Sequence, residues 1–155
     1  MNDIALRYSV IVPAYQEAAV IGDCVRAVAD QTVPRSDYEI IVVDDASTDQ
    51  TSDRAREAGA DKVLRIDHGG PAVARNAGLE VARGDLILFT DADCAPPREW
   101  MARMVAPFET PNVVGAKGTY RTRQESLIAR LVQLEFAIRY ERMAALPKID
   151  FIDTY

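Results

Sequence analysis

Histidine and cysteine are almost missing from this chain. It has one histidine, His68, and two cysteines, Cys24 and Cys94, widely separated. That scarcity leaves no metal-ligand spacing of the Cys/His type and no disulfide framework. Two free thiols point to a reducing compartment. Positive charge is also short, with 18 Lys and Arg against 24 Asp and Glu and a net charge of −6. A nucleic-acid surface would need the opposite balance. No apolar run approaches the roughly 18 residues of a membrane span. Residues 1–7 lack the basic and apolar regions of a signal peptide, so a cytoplasmic location is expected. Repeats, low-complexity tracts and clear linkers are lacking too. What remains, 155 residues of which 48% are apolar, suits one domain with a sizeable core.

Short apolar runs alternate with helical stretches. Strands are expected at Tyr8–Val12, Glu39–Val43, Lys62–Ile66, Leu86–Thr90 and Asn112–Ala116. Between Glu17 and Asp30, apolar residues at Val20, Ile21, Cys24, Val25 and Val28 fall on one helical face. Ser47 with Gln50 has the form of a capping box for a helix ending at Gly59. Pro71 suits the first turn of a helix that runs toward Gly84. Pro96 and Pro97 precede a helix whose Trp100, Met101 and Met104 read as core. A long helix is expected from Ser126 to Leu146, with Leu127, Leu131, Leu134 and Ile138 as its apolar stripe. This βαβ order predicts an α/β fold, a mostly parallel sheet covered by helices on both faces. The runs are continuous and β-branched, as parallel strands buried on both sides should be.

The acidic residues fall at the C-terminal ends of these strands. Tyr15-Gln16-Glu17 follows the first, Asp44-Asp45 the second and Asp91-Ala92-Asp93 the fourth. In an open α/β sheet that edge binds ligands. Asp91 and Asp93 can chelate a hard divalent cation that shares its shell with phosphates; the plainer alternative is one helix cap and one solvated carboxylate. Asp45 can accept from the N3–H of uracil or from the N1–H and N2–H of guanine, or it can serve simple turn chemistry. Tyr15 can stack on a base. Glu17 can bind a ribose hydroxyl or favour its helix N-terminus. Gly69 and Gly70 precede a helix, a position where free backbone N–H groups suit phosphate. Arg75, one turn in, can reach a diphosphate or the aspartates. Gly78 suits close helix–sheet packing, and His68 reads as a loop residue.

Taken together, Val-Pro-Ala-Tyr-Gln-Glu, Val-Val-Asp-Asp-Ala-Ser-Thr-Asp, Ala-Arg-Asn-Ala-Gly-Leu and Ala-Arg-Gly-Asp-Leu-Ile-Leu-Phe-Thr-Asp-Ala-Asp occur in that order. On these motifs the chain resembles the family 2 glycosyltransferases of GT-A fold over residues 8–120. Gln16 stands where Asn is usual. The resemblance implies a Rossmann-like three-layer sandwich. It implies a nucleoside pocket lined by Pro13, Tyr15, Glu17 and Asp45, with Arg75 near the phosphates. Asp91 would face the ribose or the metal shell, and Asp93 would bind Mn²⁺ or Mg²⁺. The implied reaction is inverting transfer from a UDP- or GDP-linked sugar to an acceptor hydroxyl, with an acidic general base.

Neither the Glu-Asp pair nor the glycine-rich segment that accompanies that base in the family is found, and the context of Asp150 and Asp153 does not match. The expectation is therefore a nucleotide-sugar-binding core at 1–120, and at 121–155 a long helix that begins a truncated acceptor-side region. The apolar stripe of that helix predicts self-association or peripheral contact with the inner face of a membrane. A non-catalytic nucleotide-sugar-binding or assembly module is the alternative from another class. A haloacid-dehalogenase-type phosphatase is disfavoured by Ala95 and by the late position of Asp91-x-Asp93. A sugar-nucleotide pyrophosphorylase is disfavoured by Pro13–Glu17, which is no glycine-rich basic loop.

Overall fold

A computed structural model describes residues 7–119, 121–122 and 126–144. The chain divides into two compact units, Met1–Pro111 and Asn112–Tyr155. Asp150, Asp153 and the expected helix end at Leu146 lie outside the described residues.

The first unit is built on β1 (Tyr8–Ala14), β2 (Tyr38–Asp44), β3 (Lys62–Arg65) and β4 (Leu86–Phe89). All pairings are parallel, and the strand order is β3-β2-β1-β4. Helices α1 (Ile21–Ala29), α2 (Thr51–Glu57), α3 (Pro71–Val81) and α4 (Trp100–Val105) connect and cover the strands. Strand alternation sends β1 and β2 side chains to opposite faces. Val10, Val12, Ile40 and Val42 pack with Ile21, Val25, Val28, Ala55 and Met101 from α1, α2 and α4. Ile11, Ile41 and Val43 pack with Ala74 of α3 on the other face. These strand residues are fully buried, each worth about 1.5–3 kcal/mol. That is why the runs carry no polar alternation.

Two glycines let backbones approach. A Cβ on Gly78 would lie 2.5 Å from Cγ2 of Ile11, so α3 seats directly on β1. A Cβ on Gly84 would lie 2.3 Å from the carbonyl carbon of Tyr8. At the opposite sheet edge from the acidic loops, Glu39 is a buried carboxylate. It accepts from Ser9 Oγ at 2.8 Å and from the Arg83 amide at 2.8 Å, and it pairs with Lys62 and Arg83 at 3.1 Å each. Burial pushes its carboxyl up, but these hydrogen bonds outweigh burial and hold it below the ordinary value.

Two sequence expectations fail in local detail. Ser47 and Gln50 form no capping box, because α2 begins at Thr51 with Gln50 at its N-cap. The Thr51 amide donates instead to Asp49 Oδ1 at 3.0 Å. Asn112–Ala116 forms no strand. Asn112 sits at φ 71°, in the left-handed region that breaks an extended run at its first residue.

In the second unit, α5 spans Leu127–Ala144. Leu127, Leu131, Leu134 and Ile138 are exposed, as are Ile128 and Val132 on a second side. Among the described residues, no helix is long and apolar enough to cross a membrane.

Candidate functional site

The strand order itself nominates a site. From β1 the chain builds outward through β2 and β3 on one side, and β4 lies on the other. The order therefore reverses between β1 and β4, and the crevice beyond their carboxyl ends is where such sheets take ligands. The loops after β1 and β4, Tyr15–Glu17 and Asp91–Asp93, meet there.

Neighbouring polar groups fix the loop after β1. Gln16 adopts φ 58° and is held in that turn by its neighbours. Its amide donates to Ser47 Oγ at 2.9 Å, and its side chain donates to Thr48 Oγ1 at 2.8 Å. The Glu17 amide donates to Thr51 Oγ1 at 2.9 Å, and the Ala18 amide to Asp49 Oδ2 at 3.1 Å. The Ser-Thr-Asp-Gln-Thr segment thus clamps a loop some thirty residues earlier rather than capping only its own helix. Burial raises the Asp49 carboxyl, yet the bonds from Thr51 and Ala18 lower it overall.

The two aspartates after β2 divide their work. Asp44 is fully buried and accepts from the Ser47 amide at 2.8 Å, from Ser52 Oγ and from Arg65. Asp45 lines the cleft, although its side chain is only 4% exposed. Its Oδ1 accepts from the Gly69 amide at 2.7 Å and its Oδ2 from the Gly70 amide at 2.9 Å. His68 Nδ1 lies 3.0 Å from Oδ2. These bonds correct one expectation: the Gly69 and Gly70 amides are committed to Asp45 and are not free for phosphate. Gly70 has φ 86°, which favours glycine at that turn. The loop binding Asp45 also brings the His68 ring to 4.6 Å from the Tyr15 ring, at an interplanar angle of 35°. His68, read from the sequence as a loop residue, is a cleft residue. Sequence carried no signal for it, because its partners stand at positions 15 and 45.

Pro13, Tyr15, Glu17, Asp45, Asp91 and Asp93 line one cleft of about 350 Å³. His68, Pro71 and Ala74 line it too. Arg75 does not line the cleft, but its guanidinium donates to Asp91 Oδ1 at 2.9 Å. Burial raises the Glu17 carboxyl, and the charges of Asp93 and Asp49 raise it further. Like charges therefore face one another in the cleft, which a bound cation would relieve. Two cysteines abut the same loop. Cys24 Sγ donates to the Asp91 carbonyl at 3.4 Å, and Cys94 Sγ to Asp93 Oδ1 at 3.6 Å. Burial, followed by the nearby acidic charges, pushes Cys94 up to about 11. Burial pushes Cys24 up to about 12.

Asp91 and Asp93 offer hard oxygen donors, the set that suits Mg²⁺ or Mn²⁺. Among the described residues, no three or more His, Cys, Asp or Glu side chains gather into a metal site of their own. A pair of carboxylates fits a cation that takes the rest of its shell from phosphates and water.

The family model for glycosyl transferase family 2 matches residues 9–152. The glycosyltransferase AglE of Haloferax volcanii is 39% identical over 103 residues, covering 63% of this chain and 34% of that protein. Among solved structures, the mannosyltransferase PcManGT of Pyrobaculum calidifontis, in complex with GDP-Man and Mn²⁺, superposes with a TM-score of 0.62 and 33% identity. That match covers 72% of this chain and 34% of the other. S. aureus TarS 1-349 in complex with UDP-GlcNAc superposes with a TM-score of 0.59 and 28% identity, covering 78% and 39%. The chain spans from 15% to 43% of the length of curated relatives it matches. With a parallel sheet of this order and a family match over most of its length, the chain belongs to glycosyltransferase family 2 and carries its GT-A fold.

Proposed function

We propose that the first unit binds a nucleotide-diphospho sugar together with a divalent cation, as donor for inverting transfer to an acceptor hydroxyl. One observation carries this reading. Carboxylates from three separate strand ends, an aromatic pair and an arginine-held aspartate converge at the point where the strand order reverses. Support also comes from the neighbours with bound GDP-Man and Mn²⁺ or UDP-GlcNAc.

In this reading Pro13, Tyr15, Glu17 and Asp45 bind the nucleoside. Tyr15 stacks on or covers the base, and Glu17 takes a ribose hydroxyl. Asp91 and Asp93 would hold the cation, and the cation supplies Lewis-acid neutralisation of the diphosphate. Arg75 orients Asp91 through their ion pair and adds positive charge beside the diphosphate. In the transfer, a bond forms between the acceptor oxygen and the anomeric carbon as the bond to the diphosphate oxygen breaks. The acceptor proton passes to a base, and no described residue is assigned that role. Residues 1–120 act as the donor core, and 121–155 begin the acceptor side. The exposed apolar face of α5 favours self-association or a lipid surface. Light scattering that gives one monomeric mass at all concentrations, with no vesicle binding, would exclude both.

Calorimetric titration with UDP, with and without Mn²⁺, tests the donor site. The expected result is Mn²⁺-dependent binding that Asp93→Asn abolishes while the fold stays intact. Binding indifferent to Mn²⁺ and to Asp93→Asn would overturn the reading.

A further inference from the structure

The loop after β3 places a second ring in the cleft, beside Tyr15. His68, Gly69 and Gly70 follow one another in that loop, and each is bound to Asp45. The Gly69 and Gly70 amides donate to the two carboxylate oxygens. His68 Nδ1 lies 3.3 Å from the Asp45 backbone carbonyl. A carbonyl oxygen only accepts, so the ring donates there from Nδ1. Asp45 is anchored in turn, because its own amide donates to the Ala14 carbonyl, at the end of β1, at 2.9 Å. The imidazole therefore stands on the ends of the two central strands.

Tyr15 is held differently. The Gln16 and Glu17 amides fix the backbone beside it through Ser47 and Thr51. The residue itself is 48% exposed, so these bonds set where the ring begins and not how it turns. The His68 ring centroid lies 4.6 Å away with the planes at 35°, a contact distance for offset rings. At that separation no base fits between the two rings, so His68 covers one face of Tyr15 and leaves the other for a ligand. Resting on the nucleotide-site reading above, we infer that His68 is a positioning residue for the nucleoside: it braces the Tyr15 ring in the orientation that receives the base. His68 acts through Tyr15 and has no part in bond breaking. A ring held before binding loses no rotational freedom when the ligand arrives, and the difference appears as affinity. For one aromatic side chain that difference is about two- to tenfold.

The test is a double-mutant cycle read by calorimetric titration of the whole chain. UDP and GDP are each titrated at saturating Mn²⁺, and the tighter of the two is carried through the variants. His68→Ala is expected to weaken binding about two- to tenfold, with little change in the melting temperature, because the side chain is largely exposed. His68→Phe, which keeps a ring against Tyr15, is expected to restore most of that loss. In a Tyr15→Ala background, His68→Ala is expected to cost less than about twofold more, since the ring it braces is gone. Losses that simply add overturn the inference, because His68 would then act independently of Tyr15. Unchanged affinity in His68→Ala, or a His68→Phe variant as weak as His68→Ala, overturns it too and leaves the nucleotide site standing. Binding of neither nucleotide by the unaltered chain overturns the site reading and this inference with it.

Discussion

Asp45→Asn tests the loop clamp with an isosteric change. The native carboxylate accepts from Gly69 at 2.7 Å and from Gly70 at 2.9 Å, one bond on each oxygen. An asparagine has one carbonyl oxygen and one NH₂. Whichever way its amide turns, one glycine N–H faces a donor. One charge-assisted bond is lost, worth about 1.5–3 kcal/mol when a charged group is involved. Gly69 is exposed and Gly70 half-buried, so water restores part of this. The net loss should be about 1–2 kcal/mol. For a chain of this size that is roughly 2–8 °C in Tm. Urea denaturation and calorimetry measure it, and amide hydrogen exchange at Gly69 and Gly70 should quicken in the variant. Asp44→Asn supplies the comparison. Its carboxylate is fully buried and accepts from the Ser47 amide and the Ser52 hydroxyl, so its loss should be larger, about 2–4 kcal/mol. If Asp45→Asn costs under about 0.5 kcal/mol, or leaves both glycine amides exchanging at their original rate, the clamp does not hold the loop.

Acid should weaken the fold through Glu39. Its folded carboxyl lies below the ordinary 4.5, so the unfolded chain takes up its proton first. The stabilisation is complete above that ordinary value and is lost as pH falls through the folded one. Urea midpoints should therefore drop as pH falls below the ordinary value, and Glu39→Gln should flatten that drop; an unchanged slope in the variant would exclude Glu39 as the cause. Gly84→Ala should prevent folding or cost at least about 3 kcal/mol, because its Cβ meets backbone at 2.3 Å. Gly78→Ala, which meets only a side chain, should cost about 1–3 kcal/mol; circular dichroism melts would contradict the packing account if the order were reversed. Cys24 and Cys94, pushed up to about 12 and about 11, should react with a thiol reagent at pH 8 far more slowly in the folded chain than in urea. Equal rates would mean that neither thiol is shielded.

Patterns that are local in sequence were readable before the structure. The runs 8–12, 39–43 and 86–90 are apolar because helices cover both faces of the sheet, and they became β1, β2 and β4. Pro71 marked the start of α3, and Gly78 its close contact with β1. The spacing of acidic residues after strands was enough to point to one sheet edge. The long-range partnerships were not readable. Ser47 followed by Gln50 has the form of a cap, but the Ser47 hydroxyl is taken by the amide of Gln16. Two glycines before a helix suggest free amides, but Asp45 reaches them from 24 and 25 positions away. His68 and the buried Glu39 hub were missed for the same reason: their partners lie 23 to 53 residues distant. Asn112–Ala116 looked like a strand by composition, yet Val114 is 97% exposed and no strand among the described residues receives the segment.

The central claim is spatial: Tyr15, Asp45 and the Asp91–Asp93 loop enclose one nucleotide–cation pair. Amide NMR spectra of the chain with UDP and Mg²⁺, followed by substitution of Mn²⁺, test it most directly. UDP should shift the amides of Tyr15, Asp45, Gly69 and Gly70, and Mn²⁺ should broaden those around Glu17 and Asp91 to Cys94 most strongly. Broadening centred elsewhere, or UDP shifts that spare the loops after β1 and β2, would contradict the account.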